Sequence, residues 1–213
     1  MTPNPIPPAD DDLDFTKPAA VAPPPPTQQQ LETAHREAAS GGAELQKAGY
    51  YVAIARRATA KVPPRNGVRH CLLVVEDDPD LSNLLAEIFS VAGFEVRRAA
   101  NRAQINAEVN KPILPDLILL DIVLPDADGM QILARLRAHP KFARMPVVMM
   151  TGKAESSDVK AGLAAGADGY IGTPSFLRIL LEKAAADRVA LPHLKKALLG
   201  GEAFPPALRD GLA

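Results

Sequence analysis

The sequence of 213 residues contains a single cysteine, Cys71, and has no apolar run that approaches the roughly 20 residues of a membrane-spanning helix. One cysteine excludes an internal disulfide and fits a reducing compartment. The formal net charge of -1 gives no general attraction to nucleic acid or to an anionic membrane. The N-terminus has neither a basic start nor an apolar segment, which indicates that there is no signal peptide. We therefore expect a cytoplasmic protein that does not contact a membrane.

Large apolar residues are also scarce in the first part of the chain, where proline and aspartate are concentrated instead. Such a segment cannot bury enough apolar surface to offset the entropy lost when the chain becomes ordered. We therefore expect residues 1–27 to be a disordered, proline-rich tail. The proline run at residues 23–26 is typical of a polyproline II spacer.

Residues 28–62 are richer in Ala, Gln and Glu and are predicted to be a helical extension, with an interruption at Gly41-Gly42. After this interruption apolar residues recur at helical spacing, which predicts a helix over residues 43–60. The residues at this spacing are Leu45, Ala48, Val52 and Ala55. Residues 63–69 are predicted to be a linker, because they begin with two prolines that end a helix.

From Cys71 onward, short apolar runs alternate with amphipathic stretches, which predicts a domain over residues 70–190. The predicted strands are 71–75, 95–99, 116–120, 147–150 and 169–171, and the predicted helices lie near 79–92, 101–110, 129–138, 156–165 and 175–190. Five β-then-α units predict an α/β fold, a doubly wound, flavodoxin-like five-stranded parallel sheet with helices on both faces. Residues 191–213 then form a C-terminal tail that is too short for a DNA-binding domain.

Polar side chains follow three of the predicted strands. Glu76 and Asp77 come after the first strand, Asp121 after the third and Thr151 after the fourth. The carboxyl ends of parallel strands meet at one edge of the sheet, so these groups are expected to converge. Crowded carboxylates repel one another, and a hard divalent cation such as Mg²⁺ relieves that repulsion. Isolated from the others, each residue also has a plainer interpretation, as a turn cap or as an acidic helix start.

Four segments together resemble the response-regulator receiver domain of two-component signal transduction. They are LLVVEDDPDLSNLL, PDLILLDIVLPDADG, PVVMMTGKAE and AGADGYIGTP, and they occur in the order and spacing of that family. The resemblance implies that Asp121 is the phosphoacceptor and that Thr151 is the switch hydroxyl. It also implies an aromatic switch at Tyr170, for which a plain core role remains an alternative. The implied Mg²⁺ ligands are Glu76, Asp77, Asp121 and the backbone carbonyl of Val123.

One position departs from the family pattern. Receiver domains have a lysine before the proline of the last quoted segment, and this sequence has Thr173 before Pro174. A threonine can donate a hydrogen bond but supplies no positive charge. Lys153 on the neighbouring loop is a candidate substitute cation, and the alternative is that it is an ordinary solvated loop residue.

The resemblance implies a stand-alone receiver that takes a phosphoryl group from a histidine kinase or a histidine phosphotransfer protein. It would signal to an output protein, whose identity is unknown, through protein contacts rather than direct DNA binding, and it would not act as an independent enzyme. The main alternative is a pseudo-receiver, a binding or scaffold module that works without phosphorylation. A third hypothesis is a phosphohydrolase, which is disfavoured because no general acid accompanies Asp121 in the sequence.

Overall fold

A computed structural model of the chain describes residues 13–15, 27–40, 52–54, 67–151 and 161–172. The helices are α1 (Gln28–Ser40), α2 (Pro79–Val91), α3 (Arg102–Val109) and α4 (Gly129–Ala138), and residues 161–164 are also helical. The strands are β1 (Val52–Ile54), β2 (Cys71–Val75), β3 (Glu95–Ala99), β4 (Leu117–Asp121), β5 (Val123–Leu124), β6 (Ala127–Asp128), β7 (Val147–Thr151) and β8 (Gly169–Gly172).

The main sheet has six strands in the order β1-β8-β7-β4-β2-β3. The neighbours β3, β2, β4, β7 and β8 all pair in parallel, which confirms the five parallel strands predicted from the sequence. The chain runs from β2 to β3 on one side and then crosses to β4 on the other side of β2. Ligands of open parallel sheets bind at such a reversal of strand order. The fold therefore places a candidate site at the carboxyl ends of β2 and β4.

Alternate residues of the strands enter two separate apolar clusters, one on each face of the sheet. On β2, Leu72 and Val74 belong to one cluster, whereas Leu73 and Val75 belong to the other. This is the period of two that a strand imposes on its side chains. The first cluster also includes Leu85 of α2, and the second includes residues of both α3 and α4. Helices therefore cover both faces of the sheet, as predicted.

The starts of α2 and α1 follow from local sequence. Asp78 precedes α2, and its carboxylate accepts a hydrogen bond of 2.7 Å from the Leu81 N–H, while Pro79 occupies the first helical position. At the start of α1, the Thr27 N–H donates to the Gln30 side-chain oxygen at 2.7 Å and the Gln30 N–H donates to the Thr27 hydroxyl at 3.3 Å. This reciprocal arrangement is a capping box, which satisfies helix-start N–H groups.

A buried ion pair connects α4 to β7 and to the residues just before β8. The Arg137 guanidinium donates to the Asp168 carboxylate at 2.8 Å and to the Gly166 carbonyl oxygen at 2.8 Å. The same carboxylate accepts the Val147 N–H at 3.0 Å, and Asp168 is fully buried. The carboxylate is thus both paired and hydrogen-bonded, the condition under which a charge is tolerated inside a protein.

The prediction of a helix over residues 43–60 is wrong at residues 52–54, which form β1. This strand pairs antiparallel with β8, with Val52 opposite Ile171 and Ile54 opposite Gly169. Residues 50–54, Tyr-Tyr-Val-Ala-Ile, are aromatic or β-branched except for the alanine, and such residues favour strands. The edge of β8 supplies the hydrogen-bonding partner that the sequence pattern alone did not reveal.

The expectation of disorder over residues 1–27 is wrong for residues 13–15. Leu13 is 8% exposed and Phe15 is 1% exposed, so both side chains lie in the core. The prediction for residues 175–190 lies outside the described residues, as do those for the tail at 191–213 and for the first part of the helix at 156–165. None of the helices in the described ranges is long and apolar enough to cross a membrane.

Candidate functional site

Glu76 and Asp77 follow β2 directly, where the chain leaves the sheet to enter α2. The Glu76 N–H still donates to the Ala99 carbonyl oxygen at 3.0 Å, so the backbone of Glu76 continues the pairing with β3. Its side chain is 4% exposed, and one carboxylate oxygen accepts the Asp78 N–H at 3.1 Å. Asp77 is exposed. The sheet therefore presents one buried and one exposed carboxylate side by side.

Asp121 is the last residue of β4, the strand next to β2. Its carboxylate accepts the Ile122 N–H at 2.7 Å and also a hydrogen bond from the backbone of Val123. Carboxylate oxygens of Glu76, Asp77 and Asp121 all lie within 4.8 Å of one another. The structure therefore brings together the three carboxylates that the sequence predicted would converge.

This crowding changes the proton affinity of two of the groups. Burial, followed by the charge of Asp121, raises the pKa of Glu76 from 4.5 to about 8. Burial also raises the pKa of Asp121 from 3.8 to about 6, against the hydrogen bonds from the Val123 and Ile122 backbones, which lower it. Without a cation at neutral pH, Glu76 is therefore mostly protonated and Asp121 mostly ionised.

Gly129 allows α4 to begin directly against the phosphoacceptor candidate. A Cβ on this residue would lie 2.2 Å from the Asp121 carbonyl oxygen and 2.8 Å from the Ile122 Cα, so only glycine fits. The Gly129 N–H donates to the Ile122 carbonyl oxygen at 2.8 Å. Between Asp121 and Gly129, the short antiparallel pair of β5 and β6 forms a turn that the sequence did not predict.

Two of the remaining predicted site residues lie on β7 and β8 of the main sheet, and the third lies on β5 of the small two-stranded sheet. Thr151 ends β7, one residue beyond Met150, which pairs with Asp121, so its backbone lies at the same edge of the sheet. Tyr170 on β8 is fully buried in the core, and a Cβ on Gly162 would approach its ring to 3.1 Å. Val123 follows the cluster on β5 with its side chain exposed.

Thr173 and Lys153 lie outside the described residues.

Residues 72–185 match the family described as the response regulator receiver domain, which is more than half of the chain. The chain belongs to this family. The matched range contains Glu76, Asp77 and Asp121, as well as Thr151 and the departure at Thr173. The quoted sequence segments and the family match thus identify the same part of the chain.

Curated relatives of this receiver include transcriptional regulatory proteins. It is 36% identical over 115 residues to the transcriptional regulatory protein GltR of Pseudomonas aeruginosa, which covers 54% of this chain and 47% of that protein. It is also 36% identical over 129 residues to the phosphate regulon transcriptional regulatory protein PhoB of Rhizobium meliloti, with 60% and 56% covered. The chain spans about half the length of the curated relatives it matches.

Among solved structures, a putative response regulator from Chloroflexus aurantiacus is 34% identical, with a TM-score of 0.49, over 56% of this chain and 97% of that one.

The structure adds residues to the receiver site that the sequence did not identify. A cleft beside Glu76 and Asp77 is also lined by Arg98, Gln104 and Glu108 from the end of β3 and from α3. Arg98 donates a hydrogen bond to the Asn83 side chain on α2. A polar residue on a strand gives no sign in the sequence of the helices that will flank it, so this cleft required the three-dimensional structure.

Proposed function

We propose that Asp121 accepts a phosphoryl group from a histidine kinase or a histidine phosphotransfer protein, and that the phosphorylated receiver signals through protein contacts. The observation that carries this proposal is the convergence of three carboxylates within 4.8 Å at the strand-order reversal, one of them at the end of β4. No other group of three or more acidic, histidine or cysteine residues in the described ranges has comparable geometry.

The Asp121 carboxylate has the properties of a nucleophile. It is half-buried, and two backbone N–H groups hold one rotamer by hydrogen bonding. With a pKa of about 6 it is mostly ionised at neutral pH. In the proposed step an Asp121 oxygen forms a bond to phosphorus while the bond from phosphorus to the donor histidine nitrogen breaks, and the histidine leaves with the bonding electrons and takes up a proton. The product is an acyl phosphate on Asp121.

The donor set fits Mg²⁺. All three side chains offer carboxylate oxygens, which this hard cation prefers. Burial, followed by the charge of Asp121, raises the pKa of Glu76 to about 8, and a bound cation would favour the ionised form of this carboxyl group. Glu76, Asp77, Asp121 and the backbone carbonyl of Val123 are the proposed ligands. When bound, Mg²⁺ supplies positive charge to the carboxylates and to the incoming phosphoryl oxygens.

Three further residues have proposed roles taken from the family pattern. Thr151 would hydrogen-bond the added phosphoryl oxygens, in line with its backbone position one residue past the partner of Asp121. Tyr170 would be the aromatic switch residue, and Thr173 would replace the lysine charge with a hydrogen bond only. A slower phosphorylation than in lysine-bearing receivers follows from that last replacement, unless Lys153 supplies the charge.

We also propose that the receiver spans residues 70–190 and acts in the cytoplasm without turning over a separate substrate. Direct contact with DNA is not expected, because the formal net charge of the whole chain, -1, provides no general attraction to phosphate. The pseudo-receiver alternative is not favoured, since the family match includes all three carboxylates.

The decisive experiment is incubation of the full chain with Mg²⁺ and a small phosphodonor, followed by intact mass measurement. We expect one added phosphoryl group on the unaltered chain and none on Asp121→Asn. Asp126→Asn is the matched control, because Asp126 lies in the neighbouring turn and accepts the Arg102 N–H but is outside the cluster. Phosphorylation of Asp121→Asn would assign the acceptor elsewhere, and an unmodified native chain would favour the pseudo-receiver.

A further inference from the structure

A three-residue segment from the N-terminal part of the chain lies against the receiver on the face that carries α3 and α4. The side chains of Leu13 and Phe15 are buried in one apolar cluster with residues of both helices. These helix residues are Ile105 and Val109 on α3, and Ile132, Leu133 and Leu136 on α4. The segment therefore occupies the groove between the two helices.

The backbone of this segment is held by side chains of α3 and its C-cap. The Phe15 N–H donates to the Asn106 side-chain oxygen at 3.0 Å. The Asn110 amide group donates to the Leu13 carbonyl oxygen at 3.0 Å and to Asn106 at 3.3 Å. Main-chain hydrogen bonds combined with pockets for alternate side chains are the usual way in which a protein recognises an extended peptide.

Arg135 on α4 completes the recognition from the other side of the groove. Its guanidinium donates to the Asp14 carbonyl oxygen and lies 4.9 Å from the centre of the Phe15 ring. Burial lowers the pKa of Arg135, and the charge of Asp14 opposes that change. A partly buried cation in this position favours a segment in which an acidic residue is followed by an aromatic residue, as Asp14 is by Phe15.

We propose that the groove between α3 and α4 is a docking surface for a Leu-Asp-Phe segment, and that residues 13–15 of this chain are its reversible occupant. Docking of residues 13–15 buries the side chains of Leu13 and Phe15 and makes hydrogen bonds to Asn106, Asn110 and Arg135, and the entropy of ordering three backbone residues opposes it. The net gain is therefore small compared with the stability of the receiver core. The receiver can therefore keep its core when the segment leaves, and the vacated groove becomes an exposed apolar surface.

The groove adjoins the acidic cluster but is distinct from it. Gln104 and Glu108 of α3 line the cleft beside Glu76, while Asn106 of the same helix contacts the segment. Helix α4 begins at Gly129 against Asp121. Occupation of the groove therefore fixes two helices that border the candidate phosphorylation site.

A peptide-exchange experiment on the full chain tests the proposal. The peptide is added to the Phe15→Ala chain, in which the docking of the chain's own residues 13–15 is weakened. The probe is a fluorescent peptide of residues 10–18. We expect fluorescence anisotropy to show that this peptide binds to the Phe15→Ala chain. The affinity of the unaltered chain for the same peptide should be about tenfold or more lower, because its own segment competes. The affinity of the Phe15→Ala chain for a control peptide that carries Phe15→Ala should be lower by a similar factor. Absence of binding to the Phe15→Ala chain, or equal binding of the two peptides, would overturn the proposal.

Hydrogen–deuterium exchange of the unaltered chain gives a second test that does not depend on a variant folding. The Phe15 amide should exchange more slowly than in an unstructured peptide, yet about tenfold or more faster than the Leu73 amide of β2, because the segment opens without global unfolding. Exchange as slow as that of Leu73 would make the segment an integral part of the core. Exchange at the unstructured rate would mean that it does not dock in solution.

Discussion

At the scale of single residues, Glu76 shows that the site is arranged at the expense of stability. Its carboxyl group is buried beside Asp121, and its pKa of about 8 in the folded chain exceeds the ordinary value of 4.5. Because the folded state holds this proton more tightly than the unfolded state does, the contribution of Glu76 to stability is fully present below pH 4.5 and is lost as the pH rises through about 8. In the absence of a cation, the folded chain is thus less stable at neutral pH than at pH 4.5.

Glu76→Gln should therefore stabilise the cation-free protein, because glutamine is nearly isosteric and carries no charge. We expect a gain of about 2–3 kcal/mol in the free energy of unfolding at pH 7 and almost none at pH 4.5. Urea denaturation at the two pH values measures this difference. A variant that is equally or less stable at pH 7 would show that Glu76 is not desolvated as the structure indicates.

A second residue-scale prediction concerns the buried Arg137–Asp168 pair. Arg137→Ala leaves the fully buried Asp168 carboxylate without its cation and should lower the free energy of unfolding by about 3–5 kcal/mol. Arg144→Ala is the control, since Arg144 is exposed on the connection between α4 and β7 and should change stability by less than about 0.5 kcal/mol. Similar losses in the two variants would deny the pair a special structural role.

At the scale of secondary structure, the sequence predicts the elements whose partners are local or periodic. The five parallel strands and α2 to α4 follow from apolar period and caps such as Asp78. Two features required information from distant residues. Strand β1 pairs with the edge of β8 that β7 leaves uncovered, and the pair of β5 and β6 lies between Asp121 and Gly129, where α4 begins against the end of β4. A pattern read along the chain carries no record of such contacts.

Gly129→Ala tests the role of that close approach. The added Cβ would clash with the Asp121 backbone oxygen, so the end of β4 or the start of α4 must move. We expect a loss of about 1–3 kcal/mol in stability and a phosphorylation rate about 10-fold to 100-fold lower, because the nucleophile is displaced. Denaturation measures the loss of stability, and intact mass measures the phosphorylation rate of the folded variant.

Gly93→Ala separates strain from site geometry in that experiment. Gly93 has a φ of 93°, so alanine is strained there by about 1–2 kcal/mol, but nothing lies within 4 Å of its Cβ position. It should therefore lose stability and keep the phosphorylation rate. Equal effects on the rate would mean that general destabilisation, rather than displacement of Asp121, explains the result for Gly129.

At the scale of the whole molecule, the candidate site was predictable because it depends on topology. Once five parallel strands are known, the residues at the carboxyl ends of β2 and β4 must meet at one edge of the sheet, and Glu76, Asp77 and Asp121 do so. The docking of residues 13–15 was not predictable from composition. An average over residues 1–27 hides Leu13 and Phe15, which are separated by one residue within an acidic stretch and match a groove built from two helices.

The same site should couple cation binding to the stability of the whole chain in a pH-dependent way. Glu76 and Asp121 hold protons up to about pH 8 and about pH 6, so protons and Mg²⁺ compete for the same oxygens. Mg²⁺ at about ten times its dissociation constant adds about 1.4 kcal/mol to the free energy of unfolding, a rise of a few degrees in Tm. We expect this rise at pH 8, and almost none at pH 5, where both groups are protonated.

Differential scanning calorimetry with MgCl₂ against NaCl of equal ionic strength measures this coupling. Salt screening acts on both samples alike, so only a bound cation produces a difference between them. Asp121→Asn should reduce the difference at pH 8, because one of the three carboxylates is removed. An identical Tm in the two salts at pH 8 would contradict the metal site, and a rise that is equally large at pH 5 would place the bound cation on carboxylates other than Glu76 and Asp121.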